Sequence, residues 1–121
     1  MYNYFMLVGY VVSDVELREV KDGKKVVNLL LSVRRDFKNA SGEFSYDVIR
    51  ISLWEFMAEI AADTIKKGSK LGIKGRIYPR NETHEKGFQM MVNDLIAERL
   101  IFFDDISKEE VIIDSNQKEF E

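Results

Sequence analysis

Alternation with a period of two fixes most of what this chain can fold into. Over Lys25–Arg35, the apolar residues Val27, Leu29, Leu31 and Val33 fall on every second position. Over Tyr46–Trp54, Ile49, Ile51 and Leu53 repeat the pattern, and Tyr46, Val48, Arg50, Ser52 and Trp54 occupy the other face. β-branched and aromatic residues at this spacing predict half-buried strands. The Asp-Gly step in Lys21-Asp22-Gly23-Lys24 is a hairpin signal, and Asn39-Ala40-Ser41-Gly42 predicts the next turn. Other strands are expected over Tyr4–Glu19 with a break near Ser13-Asp14, over Lys70–Tyr78, and over Phe88–Phe103 after a polar loop at Glu82–Gly87. The period changes once. Phe56, Met57, Ile60, Ala61, Thr64 and Ile65 form a helical stripe, predicting a helix over Glu55–Lys67. Lys66 and Lys67 would face its negative dipole end and Gly68 would take the C′ position. The predicted order is β-β-β-α-β-β, an all-β chain. Five strands with a helix between the third and fourth suit the OB-fold, a five-stranded Greek-key barrel; an open sandwich of similar order is the alternative. Gly72 and Gly75 are expected to mark bends where the barrel curves.

The remaining composition excludes several chemistries. With 121 residues and a single proline, the chain has one domain's worth of sequence and no linker. It has no cysteine, so disulfides, thiolate nucleophiles and cysteine metal sites are ruled out. A small unstapled domain of this kind fits a cytoplasmic setting. His84 is the single histidine; it lies among Glu82, Thr83 and Glu85 and reads as a solvated side chain. Asp104-Asp105 and Glu109-Glu110 are adjacent carboxylates, which point to opposite faces of a strand and would not converge on one metal or proton. No phosphate-cradling loop, nucleophile elbow or zinc spacing is present, so no enzyme, metal or cofactor is expected. No apolar run approaches a membrane span, and no basic n-region precedes the first strand.

Charge is divided unevenly. Residues 1–103 hold 16 Lys/Arg against 14 Asp/Glu, whereas residues 104–121 hold 2 against 7. We therefore expect a mildly basic domain over 1–103 and a short acidic tail over 104–121. Ser107-Lys108-Glu109-Glu110 matches a capping box, which predicts a short helix in that tail. On the domain, the outer face of the third predicted strand offers Tyr46, Arg50 and Trp54, and that of the fourth offers Lys70, Lys74, Arg76 and Tyr78. Cations interleaved with flat rings suit an unpaired polynucleotide, whose phosphates need neutralising and whose splayed bases can stack. Trp54 could equally be core, although its register with Arg50 rather than with Ile51 and Leu53 favours the outer face. Met90-Met91 reads as core or subunit interface, and Tyr2, Tyr4 and Phe5 as core or as an apolar edge that pairs between subunits, the edge being slightly favoured.

A family resemblance joins these pieces. Tyr4–Gly9 followed by Asp14-Val15-Glu16-Leu17-Arg18 resembles the opening of the bacterial single-stranded-DNA-binding proteins. Gly42-Glu43, Ile51-Ser52-Leu53-Trp54, Ala58–Ala61, Lys66-Lys67-Gly68-Ser69, Gly75-Arg76, Arg80-Asn81, Ala97-Glu98 and Phe102-Phe103 continue the likeness in order. The resemblance implies an OB-fold that wraps single-stranded DNA with little sequence preference, usually as a homotetramer, with a homodimer the smaller option. It implies a cytoplasmic, nucleoid-associated protein of replication, recombination and repair that uses no cofactor. It places Phe37 and Trp54 at stacking positions, and Arg50, Lys67, Arg76 and Arg80 at basic or polar positions along the DNA. Arg35, beside Phe37, joins the candidates.

The departures are equally informative. Val48 and Glu82 stand where the family often has aromatic rings, and Pro79 is unusual at its strand end. Tyr46 and Tyr78 lie on the same predicted faces and are expected to compensate. The long flexible linker and terminal Pro-Phe that dock replication and repair enzymes are missing, since the chain ends Lys118-Glu119-Phe120-Glu121. The rings lost at Val48 and Glu82, and the added Glu82 charge, predict weaker DNA binding or a different path. The alternative reading is an OB-fold protein-interaction module of the primosomal, replication-restart type. Nothing in the sequence favours RNA over DNA.

Overall fold

The computed structural model describes residues 1–103 and 110–114. The elements in chain order are β1 (Phe5–Val11), β2 (Arg18–Glu19), β3 (Lys25–Lys38), β4 (Phe44–Trp54), α1 (Phe56–Thr64), β5 (Lys70–Thr83), β6 (Gln89–Phe103) and β7 (Glu110–Asp114). The period-two expectation holds in β3 and β4. Val27, Leu29, Leu31, Ile51 and Leu53 are all fully buried and in register, with Leu29 opposite Ile51 and Val27 opposite Leu53. Each such side chain contributes roughly 1.5–3 kcal/mol through burial.

The sheet closes on itself. β1 pairs antiparallel with β5 from Phe5↔Gly75 to Tyr10↔Lys70, β5 with β6, and β4 with β3. Two short seams complete the circuit: β4 meets β6 in parallel at Ser52↔Ile96, and β1 meets β3 at Tyr10↔Ser32 and Val11↔Leu31. This is the five-stranded OB barrel, with α1 between its third and fourth principal strands. Met57, Ala58 and Ala61 of α1 are buried with Ile65, Ile73 and Leu100 in the same core.

Four expectations need correcting. The first predicted strand is two: β1 ends at Val11, the Ser13 hydroxyl accepts the Leu30 N–H at 3.0 Å, and only Arg18–Glu19 re-pairs, with β3. The helix stops at Thr64, because Ile65 turns extended and sinks into the core. Gly68 then serves a separate turn, in which Ser69 donates its N–H to the Lys66 carbonyl at 2.9 Å, and is not the helix C′ residue. β5 runs further than the expected Lys70–Tyr78, into the predicted polar loop, because β6 supplies its backbone partners as far as Thr83↔Gln89. Pro79 survives in this hairpin. Ile77, on the same alternation, turns its N–H and C=O to the Asn3 side chain, so the missing proline N–H falls on the free edge. Finally, Glu110–Asp114 form a strand against Arg99–Phe103, not part of a helix; Ser107, Lys108, Glu109 and Phe120 lie outside the described residues.

Glu55 enters α1 at φ 54, a left-handed value uncommon for a side chain of this kind. It is held there reciprocally with Lys25. The Glu55 N–H donates to the Lys25 carbonyl at 2.8 Å, and the Lys25 N–H donates to Glu55 Oε1 at 2.6 Å.

The bend expected at the two β5 glycines occurs at Gly75 alone, where the β5–β6 register slips between Lys74 and Gly75. A Cβ at Gly75 would overlap the Ile96 carbonyl and crowd the Phe5 ring. At Gly72 a Cβ would meet only side-chain atoms, of Ile101 at 3.3 Å and Phe103 at 3.4 Å. Gly75→Ala should therefore lower stability by about 1–3 kcal/mol or more in urea denaturation, and Gly72→Ala by clearly less. Equal losses would mean that Gly75 is not a close-approach position.

Candidate nucleic-acid interface

The outer face of β4 carries Tyr46, Val48 and Arg50, all exposed. Ser52 and Trp54 continue the same alternation. Ser52 is buried and donates its hydroxyl to Asn28 Oδ1 at 2.9 Å. Trp54 is half-buried opposite Val26 and stands outside the core cluster. The indole is thus neither sealed inside nor laid fully open. Across the wall, Ser52, Ile96 and Arg76 are in register on three adjacent strands. Arg76 and Trp54 therefore belong to one side of the β4–β6–β5 surface.

The candidate residues collect in three places. Tyr46 and Lys70 line an outer groove of about 460 Å3 together with Tyr10 and Arg34. Arg50 and Arg80 line a second, of about 260 Å3, under the β5–β6 hairpin. Arg35 and Phe37 line a cleft of about 670 Å3 where β3 diverges from β1, and Phe37 is 69% exposed. Lys74, Arg76 and Tyr78 lie along exposed β5, while Lys67 stands in the turn after α1 and lines none of the three grooves.

Their charges are not equally free. Arg35 grips Asp47 with Nη2 at 2.9 Å and Nε at 3.1 Å. These hydrogen bonds, reinforced by opposite charge, raise the guanidinium pKa and hold the Asp47 carboxyl below its ordinary value. Arg80 donates from Nε to Asp94 Oδ2 at 2.6 Å, and its Nη1 is 3.7 Å from Glu82. Its pKa is raised too, first by the Asp94 hydrogen bond. Among the described residues, Arg50, Lys67, Lys70, Lys74 and Arg76 make no ion pair. Several of these cations rest over rings instead. The Lys70 ammonium is 5.3 Å from the Phe103 centroid, that of Lys74 is 5.7 Å from Tyr4, and the Arg76 guanidinium is 5.2 Å from Tyr78.

The sequence that builds this barrel, with its outer wall of rings and unpaired cations, matches a known family. The model of the Single-strand binding protein family matches residues 2–103. The chain belongs to that family. Single-stranded DNA-binding protein B of Bacillus subtilis (strain 168) is 39% identical over 104 residues, covering 86% of this chain and 92% of that protein. The single-stranded DNA-binding protein of Streptococcus mutans is 40% identical over 98 residues, and the matched region spans only 60% of its length. Single-stranded DNA-binding protein A of Bacillus subtilis is 38% identical over 104 residues, again 60% of its length. The family is one of DNA-binding proteins without enzymatic activity. No helix among the described residues is long and apolar enough to cross a membrane.

Within this family member, sequence reasoning missed Arg34, Tyr10, Tyr4 and Phe44. Arg34 lies opposite Tyr46 in the β3–β4 register, and its guanidinium sits 4.3 Å over the Phe44 ring. Its parity with Leu30 and Ser32, opposite to the core residues Leu29 and Leu31, was the available signal. His84 is not the freely solvated side chain expected: it is half-buried and stacked on Phe88. Val48, where a ring was expected from the family pattern, is 60% exposed.

The Arg35–Asp47 pair has a pH signature. Because Asp47 has a folded pKa below 3.8, its contribution to stability is complete above that value and is lost as pH falls through the folded pKa. Asp47→Asn should lower the melting temperature at pH 7, and the difference from wild type should shrink as pH drops below 3.8. A difference independent of pH would remove the ion pair as its source.

Proposed function

We propose that this chain binds single-stranded DNA without sequence preference, protecting exposed strands during replication, recombination and repair. The observation that carries the proposal is the family match over residues 2–103. In this reading, Trp54 and Phe37 stack on bases, with Tyr46 and Tyr78 as further rings. Arg50, Lys67, Lys70, Lys74 and Arg76 neutralise phosphates. Arg35 and Arg80 contribute as ion-paired guanidinium groups that must share their donors with Asp47 and Asp94. Residues 1–103 act as the binding domain and 104–121 as an acidic segment that offers replication and repair proteins a contact. The site of action is the cytoplasm, at the nucleoid.

Titration of Trp54 emission with oligo-dT tests this directly. Quenching should accompany binding, and log K should fall steeply with log salt, by about 0.7 per phosphate neutralised. Trp54→Ala should weaken binding by about 1–3 kcal/mol. Unchanged emission with no binding at low salt would end the proposal.

Assembly as a homotetramer, or at least a homodimer, is supported by β1. Its residues 5–9 are paired on one side only, with β5, because β3 joins just at Tyr10 and Val11. Met6, Val8 and Tyr10 leave an apolar stripe exposed beside that open edge. Light scattering should give a multiple of the 14.1 kDa protomer mass, and a monomer would refute assembly.

A second reading, the protein-interaction module with weak DNA affinity, is favoured by the exposed Val48 and Glu82, where the family often has rings. Tight oligo-dT binding would dismiss it.

A further inference from the structure

The β5–β6 hairpin leaves the barrel as an arm. Pairing with β1 stops at Gly75, while β5 and β6 continue together to Thr83↔Gln89. Those eight further residues extend roughly 26 Å at about 3.3 Å each. The arm closes on a small, well-defined turn. His84 donates its N–H to the Phe88 carbonyl at 2.8 Å, and Gly87 donates to the His84 carbonyl at 2.8 Å. The Lys86 N–H donates to His84 Nδ1 at 3.1 Å, which fixes the imidazole against the turn. On this ring lies Phe88, with centroids 4.3 Å apart and planes inclined by 10°. Phe88 remains 50% exposed.

The arrangement is odd for a hairpin tip. A large apolar ring at an exposed turn gains little from burial there, and a parallel stack gives it only one covered face. The other face is open and held in a fixed orientation. A ring already ordered in this way loses little further conformational freedom when a flat partner is laid on it. The tip carries Glu82 and Glu85 alongside Lys86, so it offers no net cationic attraction and any affinity it has must come from stacking. The side chains of Arg76, Tyr78 and Arg80 run along the same arm toward it. Glu82, by contrast, presents a carboxylate where the family pattern suggests a ring.

We propose that Phe88, stacked on His84, is a base-stacking platform at the tip of the arm. It extends the single-stranded-DNA path beyond the barrel and supplies a ring that position 82 lacks. The proposal rests on the single-stranded-DNA reading above. DNA reaching the tip lays a base on the open face of Phe88, with His84 as the backing ring, while phosphates are neutralised elsewhere.

The test compares wild type, Phe88→Ala and Phe88→Trp on long oligo-dT at several salt concentrations. Phe88→Ala should bind about 5- to 150-fold more weakly, the range expected for one lost stacked base. Its dependence of log K on log salt should match wild type, since no phosphate contact is removed. Phe88→Trp in a Trp54→Phe background leaves one indole; it should bind no more weakly than Trp54→Phe alone, and dT should quench its emission. Far-UV circular dichroism confirms that each variant is folded. Binding of Phe88→Ala within about twofold of wild type overturns the platform, as does an indole at position 88 that dT leaves unquenched. In both cases wild-type binding would stand. A wild-type protein that fails to bind dT removes the broader reading and the platform together.

Discussion

Two narrow seams hold the barrel shut. On one side only Tyr10↔Ser32 and Val11↔Leu31 join β1 to β3; on the other only Ser52↔Ile96 joins β4 to β6. A few backbone hydrogen bonds would not close a sheet on their own, because the net gain from each is about 1 kcal/mol. What keeps the edges together is the filling. Leu29, Leu31, Ile51, Leu53, Leu71, Ile73 and Leu100 are fully buried inside, and parting the seams would wet them. The slip at Gly75 belongs to the same constraint, since it lets β5 bend away from β1 and pass from barrel to arm. Once the circuit is closed, parity decides which side chains face outward, and the candidate interface follows from parity.

How much of this is legible in the sequence depends on whether the deciding contact is local. The faces of β3 and β4 are legible because burial follows strict alternation. The end of α1 is not, because Lys66, Lys67 and Gly68 look like a helix terminus while the actual stop is set by the pull of Ile65 into a distant core. The arm is invisible to hydrophobic patterning because Arg80, Asn81, Glu82 and Thr83 are polar; they are strand only because β6 pairs with them. Glu110, the one described residue of the capping pattern, is drawn into a strand for a related reason. The outer edge of Arg99–Phe103 has backbone groups to satisfy, and Glu110–Asp114 satisfy them.

The interface divides in the same way. Outward parity identified Tyr46, Arg50, Lys70, Lys74 and Arg76 as surface groups. It could not show that Arg35 and Arg80 are held by Asp47 and Asp94, carboxylates 12 and 14 positions away in the chain. Nor could it show that His84 has a ring for a neighbour. Pairings between strands, unlike alternation within one, are set by register, and register is fixed only when the whole barrel has closed.

The cations over aromatic rings suggest how a mildly basic wall can present flat rings without exposing a continuous apolar patch. Arg34 over Phe44, Lys70 between Tyr10 and Phe103, Lys74 over Tyr4 and Arg76 over Tyr78 each cover part of a ring with a charge that water also solvates. Such contacts at exposed sites are worth about 0.5–1 kcal/mol, less than the roughly 1–3 kcal/mol of a stacked base. On the proposed reading, a base can therefore displace the cation, and the displaced cation is left beside the phosphate of the nucleotide that displaced it. Arg35 and Arg80 cannot exchange so readily, because their partners are carboxylates and a phosphate must compete with a like charge already in place. On that same reading the difference ranks the basic residues: those parked on rings would meet the polynucleotide first, and those locked to aspartate would chiefly tie neighbouring strands together.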